Sequence, residues 1–307
     1  MNVERNRDDT SDPVPFDQPT DLRGESSASD AGCRKCGSRS DTPGSSHAPR
    51  PPSYVYALGQ VDFRLPNMGV ERELAQVISR TDTAHLTDRQ AVSEVINRRE
   101  NRYLARQLCY VFTVQGMDTY ALVPRDAFDI ELLAEAVRPD HRVTALDVVV
   151  GVRGPVPPSG RCSALALPEV AVDQLYSFDT GDLVAAIDKP DSMATEQFDT
   201  AAEDLLRTVM RVADNVGASD EHRALTYLLV RSSDVYTKTF EAFMNDSSLK
   251  SIEVLPSNIG GPRRVMNVVL AYSDRRTDVT EKFFVPVDVT DMYPFRLHGL
   301  SPYYDHH

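Results

Sequence analysis

The composition of the chain breaks at Ser53, and the break confines packed structure to the residues beyond it. Residues 1–52 are rich in Ser, Asp, Pro and Gly, hold almost no aliphatic residues and follow neither a helical nor a strand period. Such a segment buries too little apolar surface to offset the entropy of ordering it, so a disordered tail is expected there. The run SSHAPRPPS closes that tail as a proline-stiffened linker. At Ser53 the run SYVYALGQVDF opens with Tyr54, Tyr56 and Leu58 alternating with Val55 and Ala57, the composition of a strand.

Downstream, apolar residues at helical spacing predict a helix over Gly69–Arg80, from Val70, Leu74, Val77 and Ile78. Thr87-Asp-Arg-Gln90 is a capping-box pattern, opening a helix that runs through Val92, Val95 and Ile96 to Leu104 and Leu108. LCYVFTVQGMDTYALVP reads as a hairpin turning at Gln115-Gly116-Met117-Asp118. A helix over Asp129–Arg138, a strand over Val143–Val152 and another over Ala164–Val172 complete a strand-rich half with flanking helices. After Pro190 the pattern turns helical. Phe198–Asn215 carries a broad apolar face stopped by Gly217, Ser219 caps the next helix, and Val235–Met244 forms a third. SIEVLP, RRVMNVVLAYSD and TEKFFVPVDV then form an antiparallel three-stranded meander. The class is therefore α+β. It is organised as a tail (1–52), a strand-rich half (53–190) and a half of helices followed by strands (191–307). The two halves are expected to fold as one unit, because the Phe198 helix needs a partner surface.

The charge excludes some classes of partner. A net charge of −13 opposes nucleic-acid binding, which needs a basic face, and opposes docking on anionic membranes. No run approaches the ~20 apolar residues of a membrane-spanning helix, and the charged MNVERNRDDTSD lacks the apolar core of a secretory signal. Four scattered cysteines make no disulfide framework in a chain of 307 residues, so a reducing, cytoplasmic location is expected.

Several strings carry a resemblance. YALGQVDFRLPNMGVERE, NRYLARQLCYVFTVQGMDTYALVPRD, ADNVGASDEHRALTYL and LSPYYD resemble the C-terminal domain of the cyanobactin maturation proteases of the PatG family, from Ser53 to Asp305. In those proteases this domain of unknown function follows a subtilisin-like domain. The resemblance implies a free-standing copy of the accessory domain, acting in the maturation of ribosomally made peptides.

Candidate chemistry is sparse. Ser192-Met193-Ala194 lacks the Gly-Thr that precedes a subtilase serine, and no partner motifs for Asp and His exist, so it reads as a linker. Cys33 and Cys36 form a lone CxxC. Unstructured, metal-binding and redox readings stay open for it, although a structural zinc site takes four ligands. No metal site and no cofactor are expected. Cys109 and Cys162 read either as small core residues or as nucleophiles partnered by His141, His222 or His298. Arg106, Arg125, His222 and Arg223 lie in the family strings and are the candidate contacts to a peptide or partner, against a reading as structural ion pairs. The expected function is a non-catalytic accessory or recognition protein that binds a precursor peptide or a peptide-modifying enzyme. The alternatives are an enzyme of novel type using Cys109 or Cys162 with a histidine, and a purely structural homodimer. An extended groove or an open sheet edge favours the peptide reading, a close Cys–His pair in a pocket the enzyme, and a large apolar patch without a cleft the structural subunit.

Overall fold

A computed structural model describes residues 52–304 apart from 82, 84, 141, 143, 161, 180, 182–215 and 259–260. The expected tail with Cys33 and Cys36, Ser192, His141 and the helix over Phe198–Asn215 lie outside the described residues. The described part is α+β, with six α-helices and ten strands in two sheets. No helix among the described residues is long and apolar enough to cross a membrane.

Five strands close into a barrel: β1 (Ser53–Arg64), β2 (Cys109–Val114), β3 (Met117–Val123), β4 (Ala145–Arg153) and β5 (Glu169–Asp179), in the order β1-β2-β3-β5-β4. β1 is long enough to serve two neighbours, pairing through Ser53–Gly59 with β4 and through Gln60–Arg64 with β2. Gly59 sits at that handover, where a Cβ would stand 2.2 Å from the Thr113 carbonyl oxygen. Only glycine lets the strands approach so closely. β3 and β5 run parallel, and the other barrel pairs are antiparallel. With helix α4 (Ala127–Ala136) between β3 and β4, this is the connectivity of the oligonucleotide/oligosaccharide-binding barrel.

The barrel interior holds Val55, Ala57, Val61, Tyr110, Phe112, Tyr120 and Leu122 in one continuous core. Four helices contribute to that core: α1 (Met68–Arg80) with Val70 and Leu74, α2 (Asp88–Asn97) with Val95 and Ile96, α3 (Arg102–Ala105) with Leu104 and Ala105, and α4 with Leu133. The Thr87–Gln90 capping box forms as the sequence predicts, and Asp126 caps α4 by the same reciprocal device. The helix expected to run on to Leu108 is instead broken after Asn97 by a 3-10 turn, Arg99–Asn101, before the short α3 (Arg102–Ala105). Buried Asn101 causes the break, its side-chain amide donating to the Val95 carbonyl at 3.0 Å.

The strand expected over Ala164–Val172 starts only at Glu169 and continues to Asp179. Ser163–Leu165 is a 3-10 turn, Ala166 is left-handed at φ 51°, and Pro168 has no N–H to give a ladder. A second correction concerns the cysteines. Cys109 and Cys162, read as free thiols, are joined in a disulfide across 53 residues of sequence.

The second sheet is the expected meander, β6 (Ser247–Pro256), β7 (Val265–Asp274) and β8 (Thr280–Asp288), all antiparallel. Two-residue strands β9 (Phe295–Arg296) and β10 (Ser301–Pro302) pair with β8. Helices α5 (Asp220–Arg231), capped by Ser219, and α6 (Ser233–Met244) bury Leu225, Leu228 and Val235 against Val268, Leu270 and Val285. The opposite side of α5 meets the barrel wall, where Tyr227 and Val230 cover Tyr56, Val148 and Val150. Ahead of α5, the Tyr120 hydroxyl donates to the Val216 carbonyl at 2.7 Å, and the Tyr56 amide donates to the Gly217 carbonyl at 2.9 Å.

Candidate functional site

Three of the four candidate recognition residues converge on the junction between barrel and meander. Arg223, on α5, is 1% exposed. Its guanidinium donates to the backbone carbonyls of Val289, Asp291 and Met292, and lies 5.3 Å from the centre of the Tyr54 ring. Burial holds its pKa below the usual arginine value, against the pull of Asp220. Arg125, after β3, pairs with Asp173 of β5, and the Tyr293 hydroxyl donates to the same carboxylate. Arg223 therefore holds one side of the loop 289–293 directly, and Arg125 supports the other through Asp173. His222 is half-buried, and its Nδ1 has no hydrogen-bond partner among the described residues. Arg106 belongs to a different element, exposed at the end of α3. Arg231 lies 4.9 Å from the Tyr176 ring, whose hydroxyl bonds that of Tyr56.

A cleft of about 380 Å³ opens at one end of the barrel, lined by Arg138, Asp140, Arg142, Ser177 and Asp179 among others. Beside it lies Asp147, fully buried on β4. Its carboxylate accepts from the Val61 amide at 2.8 Å, Arg138 at 2.7 Å and the Ser177 hydroxyl at 2.6 Å. Burial pushes its pKa up, and these donors pull it back only in part. The lone aspartate inside the run ALDVVVGV is the sequence signal for this group, and a search by motif and spacing passes over it. Among the described residues, no three His, Cys, Asp or Glu side chains gather to hold a metal ion. The sulfurs of Cys109 and Cys162 are bonded to each other, so neither is a free thiolate while the disulfide is closed.

The feature with the clearest binding capacity is a strand edge. Closure gives each barrel strand two neighbours, and the far side of the meander carries β9 and β10. β6 has β7 on one side and, among the described residues, no strand on the other. The Ser257 amide donates to the Val265 carbonyl at 2.8 Å, which sets the parity of the ladder. Leu255 and Glu253 then point their backbone groups toward β7, whereas Ile252 and Val254 turn theirs outward. Pro256, at the next outward position, has no N–H to offer there, as suits an edge. A bulge between Leu249 and Ser251 limits the edge at its other end. The signal in the sequence is the order of strands: the first strand of a meander has one neighbour.

The outward residues of β2 and β3 lack the features of a nucleic-acid platform. Their aromatic residues Tyr110, Phe112 and Tyr120 are core residues of the barrel, so no ring is offered for bases to stack on.

Comparison with known proteins fits this architecture. A family model described as PatG C-terminal matches residues 192–303. A solved structure, "PatG Domain of Unknown Function", superposes with a TM-score of 0.63 at 18% identity, over 82% of this chain and 98% of its own. No curated protein sequence matches the chain. The chain thus resembles the C-terminal domain of PatG, in sequence over residues 192–303 and in fold over most of its length.

Proposed function

We propose that this protein is a non-catalytic recognition protein in the maturation of ribosomally synthesised peptides, and that it binds an extended segment of a precursor peptide along β6. The outward backbone groups of Ile252 and Val254 carry this reading. A strand added there gains main-chain hydrogen bonds whatever its sequence, and side-chain contacts at alternate positions supply selectivity. Such a mode suits an accessory protein that handles many precursor sequences with a shared backbone shape. The likeness to PatG supports the pathway, and the bonding of Cys109 to Cys162 leaves neither sulfur free to act as a nucleophile while the disulfide is closed.

The test uses fluorescent peptides tiling a cyanobactin precursor, titrated with the full chain and with Val254→Pro. Proline at this position removes an outward donor and leaves the ladder to β7 intact, because Glu253 and Leu255 supply that ladder. Binding that weakens by roughly tenfold or more in the variant supports strand addition; one hydrogen bond of about 1.4 kcal/mol suffices for that factor. Binding that is absent, or unchanged by the proline, contradicts it.

A further inference from the structure

We propose that the Cys109–Cys162 disulfide is a redox-operated clasp holding loop 154–168 as a strap across β3. The clasp is independent of the β6 edge and arises from topology. Cys162 lies in the loop that leads into β5, and β5 has β3 and β4 as its neighbours. Cys109 is the first residue of β2, on the far side of β3 from β5. A bond between them obliges the loop to cross β3.

Between its ends the strap makes no hydrogen bond to the rest of the described residues, although Leu165 and Leu167 are half-buried. Gly154 and Glu169 exchange backbone bonds at its base, the Gly154 amide with the Glu169 carbonyl and the Glu169 amide with the Pro155 carbonyl. Pro168 accepts from the Ala121 amide. Between Val156 and Leu167, the hydrogen bonds among described residues stay within the loop, at Gly160–Ser163, Cys162–Leu165 and Ser163–Ala166. Much of this stretch is exposed, with Val156 at 47%. Cys109 is 1% exposed, whereas Cys162 is half-buried. The disulfide is therefore the one covalent tie on the middle of the strap among the described residues.

Opening is a two-electron reduction by a dithiol. The dithiol's thiolate attacks Sγ of Cys162, the less buried of the two cysteines; the S–S bond breaks and Cys109 leaves as a thiolate that takes up a proton. The second thiol of the reductant, deprotonated, attacks the mixed disulfide and releases Cys162, which is protonated in turn. The reductant ends as a disulfide and the protein as two thiols. The strap is then tied only at its base, and β3 is uncovered on its outer side.

The experiment takes the full chain purified without reductant. Alkylation of the unfolded protein followed by peptide mapping is expected to leave Cys109 and Cys162 unmodified until a dithiol is added. Amide exchange of the native protein, with and without dithiothreitol, then reads the strap. Exchange at residues 156–167 is expected to accelerate roughly tenfold or more on reduction, with β7 and β8 unchanged. Cys162→Ser is expected to show the fast exchange without reductant and no further response to it. Free Cys109 and Cys162 before reduction, or identical strap exchange in both redox states, would overturn the proposal.

Discussion

Asp147 is enclosed on β4 with three donors and no water-exposed surface. Asp147→Ala leaves the Val61 amide and Ser177 hydroxyl unpaired and strips Arg138 of its partner. The expected loss is about 2–4 kcal/mol, read by urea unfolding. The raised carboxyl pKa also fixes the sign of a pH effect. The folded form holds the proton more tightly than the unfolded chain does. This group therefore adds stability as pH falls through the folded pKa toward the ordinary value of 3.8. Wild type is accordingly expected to gain stability relative to Asp147→Asn on acidification across that window. A relative loss there would place the carboxylate, not the acid, as the favoured form. Gly217 is a second such residue, with φ at 69° and a hypothetical Cβ 2.5 Å from the Tyr56 carbonyl oxygen. Gly217→Ala strains the backbone and drives a methyl into β1. It is expected to lower stability by about 1–3 kcal/mol, visible as a shifted denaturant midpoint.

At the scale of elements, local chemistry is legible in the sequence and long-range geometry is not. Thr87 with Gln90, the Gln115-Gly116 turn and the Ser219 cap each announce themselves within four residues, and each forms. Thr87→Ala is expected to cost about 1 kcal/mol by leaving the first turn of α2 short of an acceptor, with circular dichroism melting as the readout. The break at Asn101 is hidden because a buried asparagine bonding backward looks like any polar helix residue. The late start of β5 is marked by Pro168, but the apolar run Ala164–Leu167 outweighs it. Closure of the barrel depends on β1 changing partners at Gly59 and on β3 meeting β5 in parallel. Neither leaves a periodicity in any one segment. The disulfide is hidden for the same reason, since 53 residues separate two sulfurs that only the barrel brings together. Of the candidate site, the arginines stand out by residue type, but their service to the loop 289–293 depends on contacts that spacing does not encode.

At the scale of the whole molecule, the barrel and the meander share their supports. Tyr227 and Val230 on α5 cover the barrel wall while Leu225 and Leu228 on the same helix face the meander. Residues 53–190 and 191–307, expressed apart, are therefore expected to be insoluble or molten and to recover a sharp transition only when mixed. Two independently cooperative halves with no affinity for each other would refute this. For function, everything turns on whether the β6 edge accepts an extended peptide. Amide exchange resolved at Ile252 and Val254 in the full chain, with and without saturating precursor peptide, decides it. Both amides turn away from β7, so bound peptide is expected to slow their exchange roughly tenfold or more while Glu253 and Leu255 change little. Unchanged exchange at Ile252 and Val254 under saturating peptide would rule out strand addition at this edge.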